Sequence, residues 1–289
     1  MRLADIYEPI REELALVEKE IRRQAGKIES ARSLPDTLVR YIDQVVGHIF
    51  SRPGKLLRPA LALFSSRMLG PDASPAEADL ISFAAAVEFF HSASLIHDDI
   101  IDEEQFRREQ PALHRMFGNH IAVLVGDVLY AKFFSLMTHL RVPTASRRLE
   151  VFSLFCDVTE RMCIAEIIEQ HLLETAAGAG PEDYLMILQY KTADLMSACC
   201  EGSAILCGAG PAQRTAVAGF GRAFGMAFQL YDDSRDGDAI VHSIVDIPLK
   251  AREYIREAEG HLAALPANDT RQLMEGLCRL MASEGSLGV

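Results

Sequence analysis

The chain has 289 residues, of which 29 are Lys or Arg and 41 are Asp or Glu, so its formal net charge is −12. That balance argues against a general nucleic-acid binder, which needs a basic face, and suits a soluble cytoplasmic protein that collects metal cations. With 49% hydrophobic and 24% charged residues the chain can fill a sizeable core, and 7% aromatics with no tryptophan favour helices over a β-sandwich.

Taken in order, the N-terminus MRLADIYEPIREELALVEKEIRRQ carries charges every few residues and no apolar signal core, so secretion is not expected. Ser51-Arg52-Pro53-Gly54 is a break before a helix, and Gly70-Pro71-Asp72 ends one. Leu80 to Ile101 is Ala-rich and apolar all round, the mark of a helix buried inside a bundle. Helical period continues through Ala122–Met137, Leu149–Leu173, Pro181–Cys207 and Thr215–Tyr231, and Arg252–Leu265 is amphipathic. Pro143, Pro211 and Pro266 mark turns, and AAGAGP at 176–181 reads as a linker. No apolar stretch of about 18 residues is free of charge, so no transmembrane segment is expected. The six cysteines form no C-x-x-C pair and read as reduced, buried helix residues. No shift in composition divides the chain. It reads as one all-α domain over 1–289, a large helical bundle around a deep central cavity.

Two segments share one acidic pattern. Asp98-Asp99-Ile100-Ile101-Asp102 and Asp232-Asp233-Ser234-Arg235-Asp236 are both DDxxD. On a helix, positions i and i+4 lie about 40° apart around the axis, so Asp98 and Asp102 point the same way. Like charges on one face repel unless a cation sits between them, and Mg²⁺ takes carboxylate and phosphate oxygens. Either copy alone could be a solvated face, but two in a chain with 18 aspartates are poorly explained by chance. Two such faces would hold a diphosphate through metal. Protein cations that could reach the same diphosphate are Lys55, Arg58, Arg107, Arg108 and Lys191, the last inside an otherwise apolar helix.

These residues carry a resemblance. GKLLRP at 54–59, FFHSASLIHDDIIDEEQFRR at 89–108, FGNHIAVLVGDVLYA at 117–131, YLMILQYKTADLM at 184–196 and FGMAFQLYDDSRD at 224–236 run in the order of the trans-type polyprenyl diphosphate synthases. The chain resembles that family, and its long-chain members most. The resemblance implies a homodimeric all-α enzyme with three Mg²⁺, which condenses isopentenyl diphosphate head-to-tail with an allylic diphosphate. It implies that Asp98, Asp102 and Asp232 ligate metal directly, while Asp99, Asp233 and Asp236 ligate it or orient its waters. Lys55, Arg58, His91 and Arg108 would hold isopentenyl diphosphate, and Arg107, Lys191 and Gln229 the allylic diphosphate. Thr192 would sit beside the developing cation. His97 reads equally well as a packed core histidine.

Residues one turn apart on the helix before Asp98 line one wall, so Ser94, Phe90 and Ala86 or Val87 form a descending stripe. Ala93 and Ser94 are small, and in the family bulky residues there stop short products. Their absence implies a product longer than farnesyl, with Phe90 or Phe89 as a deeper floor.

Three features depart from the family. Arg107-Arg108 is followed by Glu109 where the family usually has Gly, which puts an acid beside a diphosphate pocket. Ala165-Glu166 replaces a usual Gly-Glu or Gly-Gln. The chain is shortened after residue 238, and Lys250 is the only lysine beyond Asp236. A weakened or inactive partner subunit, or a class I terpene cyclase, are the alternatives. A di-iron bundle would need two Glu-x-x-His motifs, and only Glu88–His91 is present.

Overall fold

The computed structural model describes residues 2–26, 34–52, 54–70, 77–141, 144–175, 180–236 and 246–284. The helices in chain order are α1 (Leu3–Tyr7), α2 (Arg11–Ala25), α3 (Asp36–Ile49), α4 (Leu57–Met68) and α5 (Glu77–Ile101). They continue with α6 (Leu113–Phe117), α7 (Asn119–Thr138), α8 (Ala145–Thr175), α9 (Pro181–Leu188) and α10 (Asp194–Cys207). The last three are α11 (Pro211–Asp236), α12 (Ile247–Ala263) and α13 (Asp269–Glu284). A two-stranded antiparallel hairpin, β1 (Phe106–Arg107) and β2 (Gln110–Pro111), follows α5.

The chain divides into two compact units. The smaller comprises Arg11–Ala60 and Ala76–Arg141, and the larger comprises Met1–Ile10, Leu61–Pro75 and Val142–Val289. In the smaller unit α5 packs along α7 and against α2. Fifteen of the 25 residues of α5 are buried, all around its circumference. This is why the helix shows no polar stripe: it has neighbours on every side. Phe83, Phe89, Phe90 and Phe133 are fully buried there.

Two helices, α5 and α7, have the length and hydropathy of a membrane span. The expectation that no segment qualifies is corrected on that point, because a span tolerates a charge or two. Composition does not separate such a helix from a core helix, and α5 is mostly buried within the protein. α7 is less covered and leaves Val123, Leu124 and Val128 exposed.

In the larger unit α10 is the core helix, with 13 of its 14 residues buried. It packs on α11 and α8, and α11 packs along α12. Glycine sets the α10–α11 spacing. A Cβ at Gly221 would come within 2.7 Å of the Met196 carbonyl oxygen, and one at Gly225 within 2.7 Å of the Ala193 Cα. The segment read as helical over Pro181–Cys207 is helical throughout, but not in one geometry. Gln189–Ala193 forms a π turn between α9 and α10, which adds a residue that apolar periodicity does not reveal. The cysteines also need correction. Cys156 and Cys163 are exposed on α8, whereas Cys199, Cys200, Cys207 and Cys278 are buried. Burial pushes the Cys200 and Cys278 thiols up to about 12.

Gly225→Val places a branched side chain against the Ala193 backbone. It is expected to cost about 2–3 kcal/mol, seen as a lower midpoint in a thermal melt followed by circular dichroism.

Candidate active site

Each acidic motif lies at the C-terminal end of a long helix, the first on α5 in the smaller unit and the second on α11 in the larger. In the smaller unit Asp99 is buried, and Arg107 of β1 reaches it with Nε donating to Oδ1 at 2.8 Å and Nη2 donating to the same oxygen. A pocket lies beside this pair. Its lining includes Arg52, Ser92, Asp99, Arg107, Arg108 and Gln110.

Near the pocket-lining Arg108 is a partly buried group of polar side chains. Arg58 Nη1 lies 2.9 Å from His91 Nε2, and the Arg108 guanidinium lies 3.7 Å from the buried Glu88 carboxylate. Burial first, then Arg58, Arg108 and Arg107, holds the His91 pKa well below its usual range. A neutral imidazole accepts from Arg58 and so orients it. Arg108 also explains Gly54, because a Cβ there would lie 2.5 Å from its Nη2. Lys55 is exposed just before α4. His97 packs against α7, 3.2 Å from the Val123 carbonyl oxygen and beside the Tyr130 ring.

The hairpin that presents Arg107 and Arg108 has a two-residue turn, and both turn residues are left-handed: Arg108 at φ 51 and Glu109 at φ 61. Such a turn favours Asn, Asp or Gly. An ordinary side chain in this region costs about 1–2 kcal/mol. This is the physical meaning of Glu109 standing where a glycine is usual. Leu56, between Lys55 and Arg58, is also left-handed at φ 50.

In the larger unit the π turn brings Lys191 and Thr192 to α8 and α11. Lys191 Nζ lies 2.7 Å from Glu166 and is hydrogen-bonded to Glu169. Burial works against its charge, but Glu169 and Glu166 outweigh burial and raise its pKa far above the usual lysine range. Thr192 Oγ1 donates to Gln229 Oε1 at 2.9 Å, and Gln229 Nε2 donates to Asp233 Oδ1 at 2.8 Å. Tyr184 Oη donates to Asp233 Oδ2 at 2.5 Å. Four predicted site residues therefore meet here: Lys191, Thr192, Gln229 and Asp233. Asp236 ends α11. The segment that the sequence reading expects to be shortened, after residue 238, falls among residues 237–245, outside the described residues.

Among the described residues no three Asp, Glu, His or Cys side chains gather as a metal-holding group. The donor chemistry nonetheless suits Mg²⁺, since both motifs offer hard carboxylate oxygens at helical spacing. Asp99 and Asp233 each give oxygens to protein donors.

The sequence pattern described as "Polyprenyl synthetase" matches residues 39–239. The chain belongs to the polyprenyl synthetase family. That membership makes it a prenyltransferase. It is 32% identical over 234 residues to a "Short chain isoprenyl diphosphate synthase" of Methanothermobacter thermautotrophicus, covering 81% of this chain and 67% of the relative. It is 30% identical over 264 residues to an "Octaprenyl diphosphate synthase" of Escherichia coli, covering 86% of this chain and 78% of that one. The solved structure of a decaprenyl diphosphate synthase from Rhodobacter capsulatus superposes with a TM-score of 0.81 at 26% identity, covering 97% of this chain and 98% of that one.

Within this prenyl synthetase site, sequence reading gave no site role to Glu88, Glu166, Glu169 or Tyr184, which read as ordinary helix residues. Only the partner that each meets in the fold gives it a role.

The His91 environment predicts a pH effect. The unfolded chain takes up the proton first, so stability falls as pH drops below about 6.5. Glu88 works the other way. Burial, opposed by Arg108 and Arg58, raises its pKa, so its contribution is present at low pH and is lost as pH rises through the folded value. Urea unfolding at about pH 7.5 and 5.5 should show wild type losing about 1 kcal/mol on acidification, and His91→Asn losing clearly less.

Proposed function

We propose that this prenyltransferase is Mg²⁺-dependent and condenses isopentenyl diphosphate head-to-tail with an allylic diphosphate, giving a linear all-trans prenyl diphosphate longer than farnesyl. The observation that carries this reading is the gathering of Arg107 and Arg108 around one pocket at the carboxylate-bearing end of α5, with Arg58 held by His91.

The chemistry asks for two things. Ionising an allylic C–O bond leaves a diphosphate and a carbocation. Bound Mg²⁺ supplies positive charge to the leaving diphosphate. Lys191 and Arg107 add fixed positive charge, positioned before the reaction begins by Glu166, Glu169 and Asp99. The Thr192 hydroxyl, oriented by Gln229, presents its oxygen lone pairs toward developing positive charge. Arg58 and Arg108 hold the diphosphate of the second substrate, whose double bond attacks the cation. A proton is then lost to the released diphosphate. No nucleophilic side chain takes part.

Product length is read from α5. Ala93 and Ser94 are small and buried. One turn deeper, Phe90 packs edge-on against Tyr130 and Phe133, with ring centroids 5.2 Å apart in each case. Phe89 turns instead toward Phe50. Phe90 is therefore the better floor. The exposed Val123, Leu124 and Val128 on α7 support the homodimer that the family resemblance implies.

Incubation with labelled isopentenyl diphosphate, Mg²⁺ and dimethylallyl, geranyl, farnesyl or geranylgeranyl diphosphate should give a ladder ending beyond farnesyl. Product ending at farnesyl or shorter would overturn the length assignment. Asp98→Ala and Asp232→Ala should each lower turnover at least about 10³-fold with helical content retained. Full activity in both would refute the metal assignment. Phe90→Ala should lengthen the ladder by one or more units, read by reversed-phase chromatography.

A further inference from the structure

We infer that Arg52 is a further diphosphate-binding cation of the smaller unit's pocket, and that Glu109 is its built-in competitor, presented by the strained hairpin turn. This inference rests on the reading of Arg108, which lines that pocket, as a ligand of isopentenyl diphosphate.

Arg52 and Glu109 come from separate segments and meet at the pocket. Arg52 Nη1 donates to Glu109 Oε2 at 2.7 Å, and Arg52 lines the pocket together with Arg107 and Arg108. The two segments are laced together on either side of the pair. Ser51 Oγ donates to Gln110 Oε1 at 3.0 Å, His48 Nε2 lies 3.0 Å from the Pro111 carbonyl oxygen, and Arg108 Nη1 donates to the Arg52 carbonyl oxygen at 3.3 Å. Arg52 is thereby carried to the pocket by the same contacts that fix the hairpin.

The pair is a poor stabilising device. The side chain of Arg52 is 51% exposed and that of Glu109 is 85% exposed, and ion pairs this open to water contribute little. Nor does the pair remove the strain of holding Arg108 and Glu109 left-handed. Backbone strain of this kind clusters at functional sites. Its effect here is to set one carboxylate against a guanidinium at the rim of a cationic pocket. A diphosphate carries more negative charge than a carboxylate and forms bidentate contacts with guanidinium. An arriving diphosphate therefore displaces Glu109 from Arg52. Until then Glu109 occupies the cation, and afterwards its charge repels the ligand. The net result is a pocket tuned to weaker diphosphate binding than its arginines alone would give.

The two residues should act in opposite directions on one constant. With the allylic substrate saturating, Glu109→Gln is expected to lower KM for isopentenyl diphosphate about fivefold, and Arg52→Gln to raise it about fivefold to tenfold. The change should fall on that KM rather than on kcat, and the KM of the allylic substrate should stay put. In Arg52→Gln/Glu109→Gln the gain from removing Glu109 should shrink. Glu109→Gly separates charge from strain. It should raise the thermal midpoint, because glycine suits the left-handed turn, and it should lower KM as Glu109→Gln does.

Calorimetric titration with inorganic diphosphate reads the same order of affinities without turnover: Glu109→Gln tighter than wild type, Arg52→Gln weaker. An active wild type whose Glu109→Gln and Arg52→Gln variants both stay within twofold in KM and in diphosphate affinity would overturn this inference alone. A wild type that makes no product from any substrate pair would refute the proposed function, and the calorimetric order would then decide whether the Arg52–Glu109 competition exists. A variant whose only change is in melting temperature would show a structural turn and nothing more.

Discussion

The pairing of buried Asp99 with Arg107 is the constraint on which the smaller unit depends. An apolar helix can be buried along its length only if nothing charged is stranded at its end. α5 ends with Asp98 and Asp99, and Asp102 follows it; burying one of these carboxylates without a partner would cost several kcal/mol. The counter-charge comes from a hairpin only a few residues further on. That proximity forces the chain to reverse sharply, and the reversal delivers Arg108 to Glu88 as a consequence. The need to neutralise a helix end thus builds a cationic pocket beside it.

The larger unit solves a related problem with hydrogen bonds. Thr192, Gln229, Asp233 and Tyr184 form one connected chain across the π turn, α11 and α9. Each member fixes the next, so the Thr192 hydroxyl has a defined direction. Lys191 is fixed by two glutamates of α8. Removing either glutamate would leave the ammonium less constrained, which connects residues remote from any substrate motif to the position of a charge. Gly225 permits all of this, since the close approach of α11 to Ala193 is what brings Gln229 within reach of Thr192.

Strain is concentrated where ligand contact is expected. Leu56, Glu103, Arg108 and Glu109 are the described non-glycine residues at positive φ, and all lie in the smaller unit, in the segments around the acidic motif and its cations. Surrounding contacts hold them there: Arg108 by Glu88 and the Arg52 carbonyl oxygen, Glu109 by Arg52. Charge fixed in this way is arranged for binding a diphosphate before the ligand arrives.

Amino-acid order alone determined the all-α class and the helices read over Leu80–Ile101, Ala122–Met137, Leu149–Leu173, Pro181–Cys207, Thr215–Tyr231 and Arg252–Leu265. The reason is that periodicity and paired carboxylates are local properties, written in spacings of three and four. It did not reveal the hairpin, because Arg108-Glu109 lacks the Gly or Asn that marks a two-residue turn. Nor did it reveal the π turn, since one inserted residue leaves an apolar helix looking apolar. The roles of Glu88, Glu166, Glu169, Tyr184 and Arg52 were decided only by tertiary structure. A charge on a helix reads as a surface charge until packing removes its water and supplies its partner, and those partners lie 20 or more residues away, as with Glu88 and Arg108, or Tyr184 and Asp233.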